Sequence, residues 1–133
     1  MKIVHISAEC YPLAKVGGLA DVVGALPKYI NKTSHEACVV LPKYATAAIE
    51  SAETQLVFSG RITLAKKHHD YKIHRVNDFG FPAFLISIPE LFDRPNVYSY
   101  PDDTERFTAF QIAFLDWLTQ TEQHPDIIHC HDH

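Results

Sequence analysis

Lys15, Gly17 and Gly18 stand together in Lys15-Val16-Gly17-Gly18-Leu19, between an apolar run and a helical pattern. Such an order suits an anion. The first amides of a helix have no partner within it, and the helix dipole favours negative charge at that end. Glycine has no Cβ, so a phosphate can approach the main chain closely at 17 and 18. Lys15 adds a mobile point charge. The expected ligand carries phosphate, and the amides at Gly17 and Gly18 are expected to face it. Positive φ in a tight turn is a second reason for the glycine pair, compatible with the first. Asp21, one turn into the helix, is expected to steady the helix start.

Other groups invite chemistry. Asp102 and Asp103 resemble an acid/base pair, but they directly precede a helical pattern, where Asp102 with Glu105 three residues on also reads as a capping box. In an extended strand His129, His131 and His133 share a face, as zinc ligands would. They read rather as a strand end whose imidazoles hydrogen-bond to backbone and carboxylates, and no metal site is assigned. His68 and His69 fall in a charged turn and are expected to be solvated. Tyr98 and Tyr100, in a loop, are candidate sugar contacts. Phe107, Phe110, Phe114 and Trp117 recur at helical spacing and are assigned to the core.

The elements that must hold these groups follow from periodicity. Lys2–Ser7 reads as a buried parallel strand, 19–31 as a helix that Pro27 should kink or end, and 36–41 as a second strand closed by Pro42. A β-α-β unit of this kind is right-handed and parallel. Segments 55–65, 70–76 and 82–88 read as strands, the first two paired antiparallel across a turn at 66–69. The second connection is a turn at 77–80. The last of the three is apolar on both faces, as for a return to the main sheet. Residues 89–103 form a loop, 126–130 a last strand. The sum is an α/β fold: a Rossmann-like parallel sheet flanked by helices, with an antiparallel hairpin insertion. Its ligands belong beyond the carboxyl ends of the strands, where the loops after Ser7 and His129 lie.

Composition narrows the class. With 133 residues, 47% hydrophobic and 21% charged, the chain reads as one soluble domain. A net charge of −4 gives no basic field for nucleic acid. No apolar run approaches the roughly 20 residues of a membrane helix. Three widely spaced cysteines, Cys10, Cys38 and Cys130, are expected as reduced thiols in a cytoplasmic protein.

Lys15-Val16-Gly17-Gly18-Leu19-Ala20-Asp21-Val22 resembles the K-[TV]-G-G-L-A-D-V signature of bacterial glycogen synthases and plant starch synthases. The likeness extends through Glu9, Pro12, Leu26 and Pro27. It continues in Leu41-Pro42-Lys43-Tyr44, Leu91-Phe92-Asp93-Arg94-Pro95, Asp102-Asp103-Thr104-Glu105-Arg106-Phe107 and Asp126-Ile127-Ile128-His129-Cys130-His131-Asp132. One glycine pair is a weak signal; five blocks in order are a strong one. Two positions depart: Asp103 stands where the family has Asn, and His133 where it has Trp.

The resemblance implies a retaining glucosyltransferase of the two-domain GT-B architecture, using no cofactor or metal. It would transfer glucose from ADP-glucose to the non-reducing end of an α-1,4-glucan. Lys15, Gly17 and Gly18 would meet the nucleotide sugar, and Asp102 would position substrate. Residues 1–133 would be a partial N-terminal domain, lacking the C-terminal nucleotide-binding domain and inactive alone. Two other readings stay open: a synthase-like module that binds glucan or a partner without catalysis, and a dinucleotide-binding oxidoreductase. The first loop lacks G-x-G-x-x-G, which disfavours the latter.

Overall fold

The computed structural model describes residues 1–77 and 80–131. The elements run β1 (Lys2–Ile6), α1 (Gly18–Ile30), β2 (Glu36–Pro42), α2 (Ala47–Ser51), β3 (Gln55–Leu64), β4 (Lys67–Val76), β5 (Ala83–Ser87), α3 (Asp103–Gln120) and β6 (Ile127–Cys130). Six strands form one mixed sheet in the order β3-β4-β5-β2-β1-β6. β6, β1, β2 and β5 are mutually parallel, while β4 pairs antiparallel with both β3 and β5. The apolar β5 thus does return to the parallel sheet, and the hairpin extends its edge.

Topology places the helices. From β1 through α1 to β2 the chain moves one way across the sheet; from β5 through α3 to β6 it moves the other. Two right-handed crossovers of opposite direction put their helices on opposite faces. The strand order reverses between β1 and β6, and the carboxyl ends of those strands open the crevice in which such sheets bind ligands.

The core sits where both faces are covered. Val39, Val40, Leu41, Leu85 and Ile86 are fully buried, and the α3 aromatics Phe107, Phe110, Phe114 and Trp117 close over the sheet as expected. Tyr71 fixes the hairpin to α3. Its hydroxyl donates to Asp116 Oδ2. Its ring lies over Gly60, directly opposite in register, where a Cβ would meet ring atoms at 2.6 Å.

The structure differs from the sequence reading at four places. Pro27 does not end α1, which runs three residues further. Proline removes one helical hydrogen bond, but its ring is buried and Asn31 N–H still donates to the Pro27 carbonyl at 2.9 Å. The helix α2 carried no long periodic signal. Thr46 caps it, accepting from Ile49 N–H at 3.2 Å. The third correction concerns the hairpin turn, which is Ala65–Lys66 rather than 66–69. Both residues have positive φ, 50° and 65°, with Leu64 and Lys67 paired across them. That is the two-residue turn matching strand twist, formed here without the Asn-Gly that normally announces it. His69 therefore lies within β4 and is buried, whereas His68 is exposed as expected.

The turn carries a prediction. A left-handed backbone costs a residue with a Cβ roughly 1–2 kcal/mol, partly offset by glycine's larger entropy loss. Lys66→Gly is expected to stabilise the protein by about 0.5–1 kcal/mol, read as a higher urea midpoint at unchanged slope. An unchanged or lower midpoint would show that the turn is not strained.

The fourth correction is at α3. Asp102 occupies the cap position, but its side chain makes no capping bond. Its carboxylate is taken by Arg94 instead.

Candidate functional site

The loop after β1 is organised by a buried carboxylate. Glu9 is only 4% exposed. Its Oε1 accepts from Val16 N–H at 2.7 Å and from Gly17 N–H at 3.0 Å. Its Oε2 accepts from the Tyr98 hydroxyl at 2.7 Å. Burial and the neighbouring Glu9 carboxylate both push the Tyr98 phenol upward from its ordinary value, so it stays a donor. The amide of Gly17 is thus turned inward, not outward as expected. The protein fills that part of its own anion nest with a carboxylate, and the same carboxylate ties the glycine loop to the loop after β5.

The outer side of the helix start is open. Gly17 is extended (φ −148°, ψ −159°), not in a positive-φ turn, so the glycine pair is not explained by turn geometry. Among the described residues, a Cβ built at Gly17 or Gly18 would meet nothing within 4 Å. Small residues facing open space leave room for a close visitor. The amides of Gly18 and Leu19 belong to the first turn, where no intrahelical acceptor exists. Lys15 stands beside them with its side chain 45% exposed. Its ammonium donates to both carboxylate oxygens of Asp21 at 2.9 Å and lies 5.6 Å from the centre of the Tyr11 ring. Asp21 therefore does more than steady the helix: it parks the lysine. An exposed pair of this kind contributes little to stability, so an anionic ligand can recruit Lys15 at small cost.

The second loop is held by two arginines. Arg94 donates from Nη1 and Nη2 to the two Asp102 oxygens at 2.7 and 2.9 Å, and from Nε and Nη2 to the Glu90 carbonyl at 3.1 and 2.6 Å. The Arg94 hydrogen bonds hold the Asp102 carboxyl below its usual range, so it is an acceptor, not an acid. Arg106 is fully buried. It donates to the Leu91 carbonyl at 2.6 Å, the Val97 carbonyl at 3.1 Å and Asp103 Oδ1 at 2.7 Å. Asp103 Oδ2 accepts from Ser99 N–H at 3.0 Å, and Oδ1 from Tyr100 N–H at 3.3 Å. The acid/base reading of the aspartate pair gives way: each carboxylate is committed to a guanidinium, and Asp103 folds the loop.

The structure thus brings the glycine loop and the Tyr98 loop together through Glu9. The roles of Glu9 and Arg106 were not anticipated, although both residues fall within the motif blocks. An acidic residue just after an apolar strand, and an arginine one position before a buried aromatic in an amphipathic helix, were the signals available.

The mixed sheet, with an exposed lysine and an open helix start at the point where its strand order reverses, defines a doubly wound α/β domain. The starch synthase catalytic domain profile matches residues 2–133, and the chain belongs to that family. It is 50% identical over 135 residues to a glycogen synthase of Flavobacterium johnsoniae, and 38% identical over 133 residues to one of Geobacillus stearothermophilus. These alignments cover 100% and 99% of the chain but only 28% and 27% of the relatives, so the chain spans little more than a quarter of their length. Among solved structures it resembles the catalytic domain of starch synthase IV from Arabidopsis thaliana, bound to ADP and acarbose, with a TM-score of 0.91 and 35% identity. That match covers 98% of this chain and 28% of the other. The fold is accordingly that of a GT-B glycosyltransferase domain. Among the described residues no helix is long and apolar enough to cross a membrane.

Proposed function

We propose that this chain is the acceptor-side, N-terminal domain of a glucosyltransferase that moves glucose from ADP-glucose to the non-reducing end of an α-1,4-glucan. The observation that carries the reading is the open helix start at Gly17–Gly18 with a half-exposed ammonium beside it. Loss of a diphosphate is the difficult part of such a transfer. Negative charge grows on the leaving oxygen, and fixed amides and a cation lower that barrier. Lys15 leaves Asp21 for the diphosphate, and the Gly18 and Leu19 amides face the same group. Glu9 holds the loop so that these donors need not reorganise. Asp102, locked by Arg94, acts through the loop it fixes and not by proton transfer. The likeness to glycogen synthases, and to a starch synthase seen with ADP, supports this choice of substrates. A second domain completes the cleft, and the chain alone does not turn over.

A chimera tests this. The 135-residue aligned segment of the Flavobacterium relative is replaced by this chain, and glucose transfer from ADP-glucose to glycogen is measured. The chimera is expected to be active, and Lys15→Ala to lower its kcat/KM by about 100-fold, the scale of one transition-state donor. A folded but inactive chimera, or an unaffected lysine variant, overturns the reading. Transfer by the isolated chain would overturn the need for a second domain.

A further inference from the structure

A cluster of three imidazoles stands at the sheet's reversal point, apart from the hydrogen bonds of Glu9, Lys15 and Asp102. His5 and His129 are register partners on the adjacent parallel strands β1 and β6. His131 follows two residues after His129, and its N–H donates to the Ile6 carbonyl at 3.0 Å, so the extended pairing continues to it. A period of two puts all three rings on one face. His5 Nδ1 and His131 Nε2 lie 2.9 Å apart. The His129 and His131 rings stack with centroids 4.1 Å apart, and each lies 5.1 Å from the His5 ring. One ring nitrogen from each residue falls within 4.8 Å of the other two.

We propose that His5, His129 and His131 form a binding site for a late first-row divalent cation, zinc being the type case. Three nitrogens around a cation at about 2.0–2.1 Å stand some 3.3 Å apart in tetrahedral geometry, so the cluster needs only a small contraction. An all-imidazole set without carboxylates selects zinc, cobalt, nickel or copper over magnesium or calcium. His5 supplies the second observation. It is 1% exposed, so its Nδ1 meets His131 Nε2 away from water. A neutral imidazole offers a metal the lone pair of one ring nitrogen. On binding, each ring keeps its proton on the nitrogen away from the cation, which replaces the hydrogen bond between His5 and His131. The cation would pin β6, an edge strand exposed along its length, to the buried β1.

The site differs from the one the sequence suggested. His5 takes the place of His133, which lies outside the described residues.

Cobalt(II) titration of the purified, chelator-stripped protein tests it. The expected result is a visible d–d spectrum typical of nitrogen ligation, saturating at one equivalent with micromolar affinity and abolished by zinc. His129→Gln and His131→Gln, both on the exposed edge, are each expected to weaken binding at least about tenfold. His68→Gln, on the distant hairpin, leaves it unchanged. Ring resonances of the unaltered protein give a check that needs no variant: zinc should shift His5, His129 and His131 first. No nitrogen-type spectrum, equal weakening by His68→Gln, or a first shift at other histidines overturns the proposal.

Discussion

Replacing Glu9 with alanine is expected to destabilise the protein by about 3 kcal/mol, lowering its melting temperature by roughly 10 °C. The carboxylate is buried and accepts three hydrogen bonds, from two amides and a phenol. Its removal takes a charged, buried acceptor from the Val16 and Gly17 amides and the Tyr98 hydroxyl, and hydrogen bonds to a charged group are the stronger ones. Glu9→Gln keeps one acceptor oxygen and should lose about half as much. Tyr98→Phe should cost about 1 kcal/mol. The double variant Glu9→Ala/Tyr98→Phe should cost less than the sum of the singles, because the two share one bond. Thermal and urea unfolding of the four proteins measure this. A Glu9→Ala protein within about 0.5 kcal/mol of the parent would mean that the loop is not built on this carboxylate.

The second large effect is at Arg106, where methionine is expected to cost about 4 kcal/mol. Replacing a buried ion pair with apolar groups can be harmless when both charges leave together. Here only one leaves. The Leu91 and Val97 carbonyls and the Asp103 carboxylate stay behind, and Asp103 still holds the Ser99 and Tyr100 amides. The guanidinium also lies 4.7–5.4 Å from the centres of the Phe92, Tyr100 and Phe107 rings, contacts that methionine matches only in part. Lysine is no substitute, since one ammonium cannot serve three acceptors from the position of a planar fork. Arg106→Lys should therefore lose at least about 2 kcal/mol. Chemical denaturation decides it: a methionine variant as stable as the parent would show that the loop carbonyls find other donors.

Both effects come from residues whose importance is tertiary. Glu9 reads in the sequence as one acidic residue at the end of an apolar run. Its partner Tyr98 lies 89 positions away, and no local periodicity links the two. Arg106 sits in a helix whose apolar face was legible, yet a charged residue there reads as solvent-facing until the loop folds over it. The same holds for His69, whose burial followed from a turn two residues earlier than its composition suggested.

Short-range physics set most of the rest. Apolar runs of four to six residues, the helical spacing of Phe107, Phe110, Phe114 and Trp117, and the β-α-β order determined the parallel sheet, its flanking helices and its hairpin, because periodicity and connection length are local properties of the chain. The glycine pair and Lys15 were legible as an anion-facing corner for the same reason. Only the tertiary structure decided which amides face outward, since Glu9 claims the Val16 and Gly17 donors. It alone parked Lys15 on Asp21, committed Asp102 to Arg94, and set His5 beside His129 and His131. Each of those outcomes depends on groups distant in sequence competing for the same buried donors and acceptors, and that competition is settled only when the strands are in register.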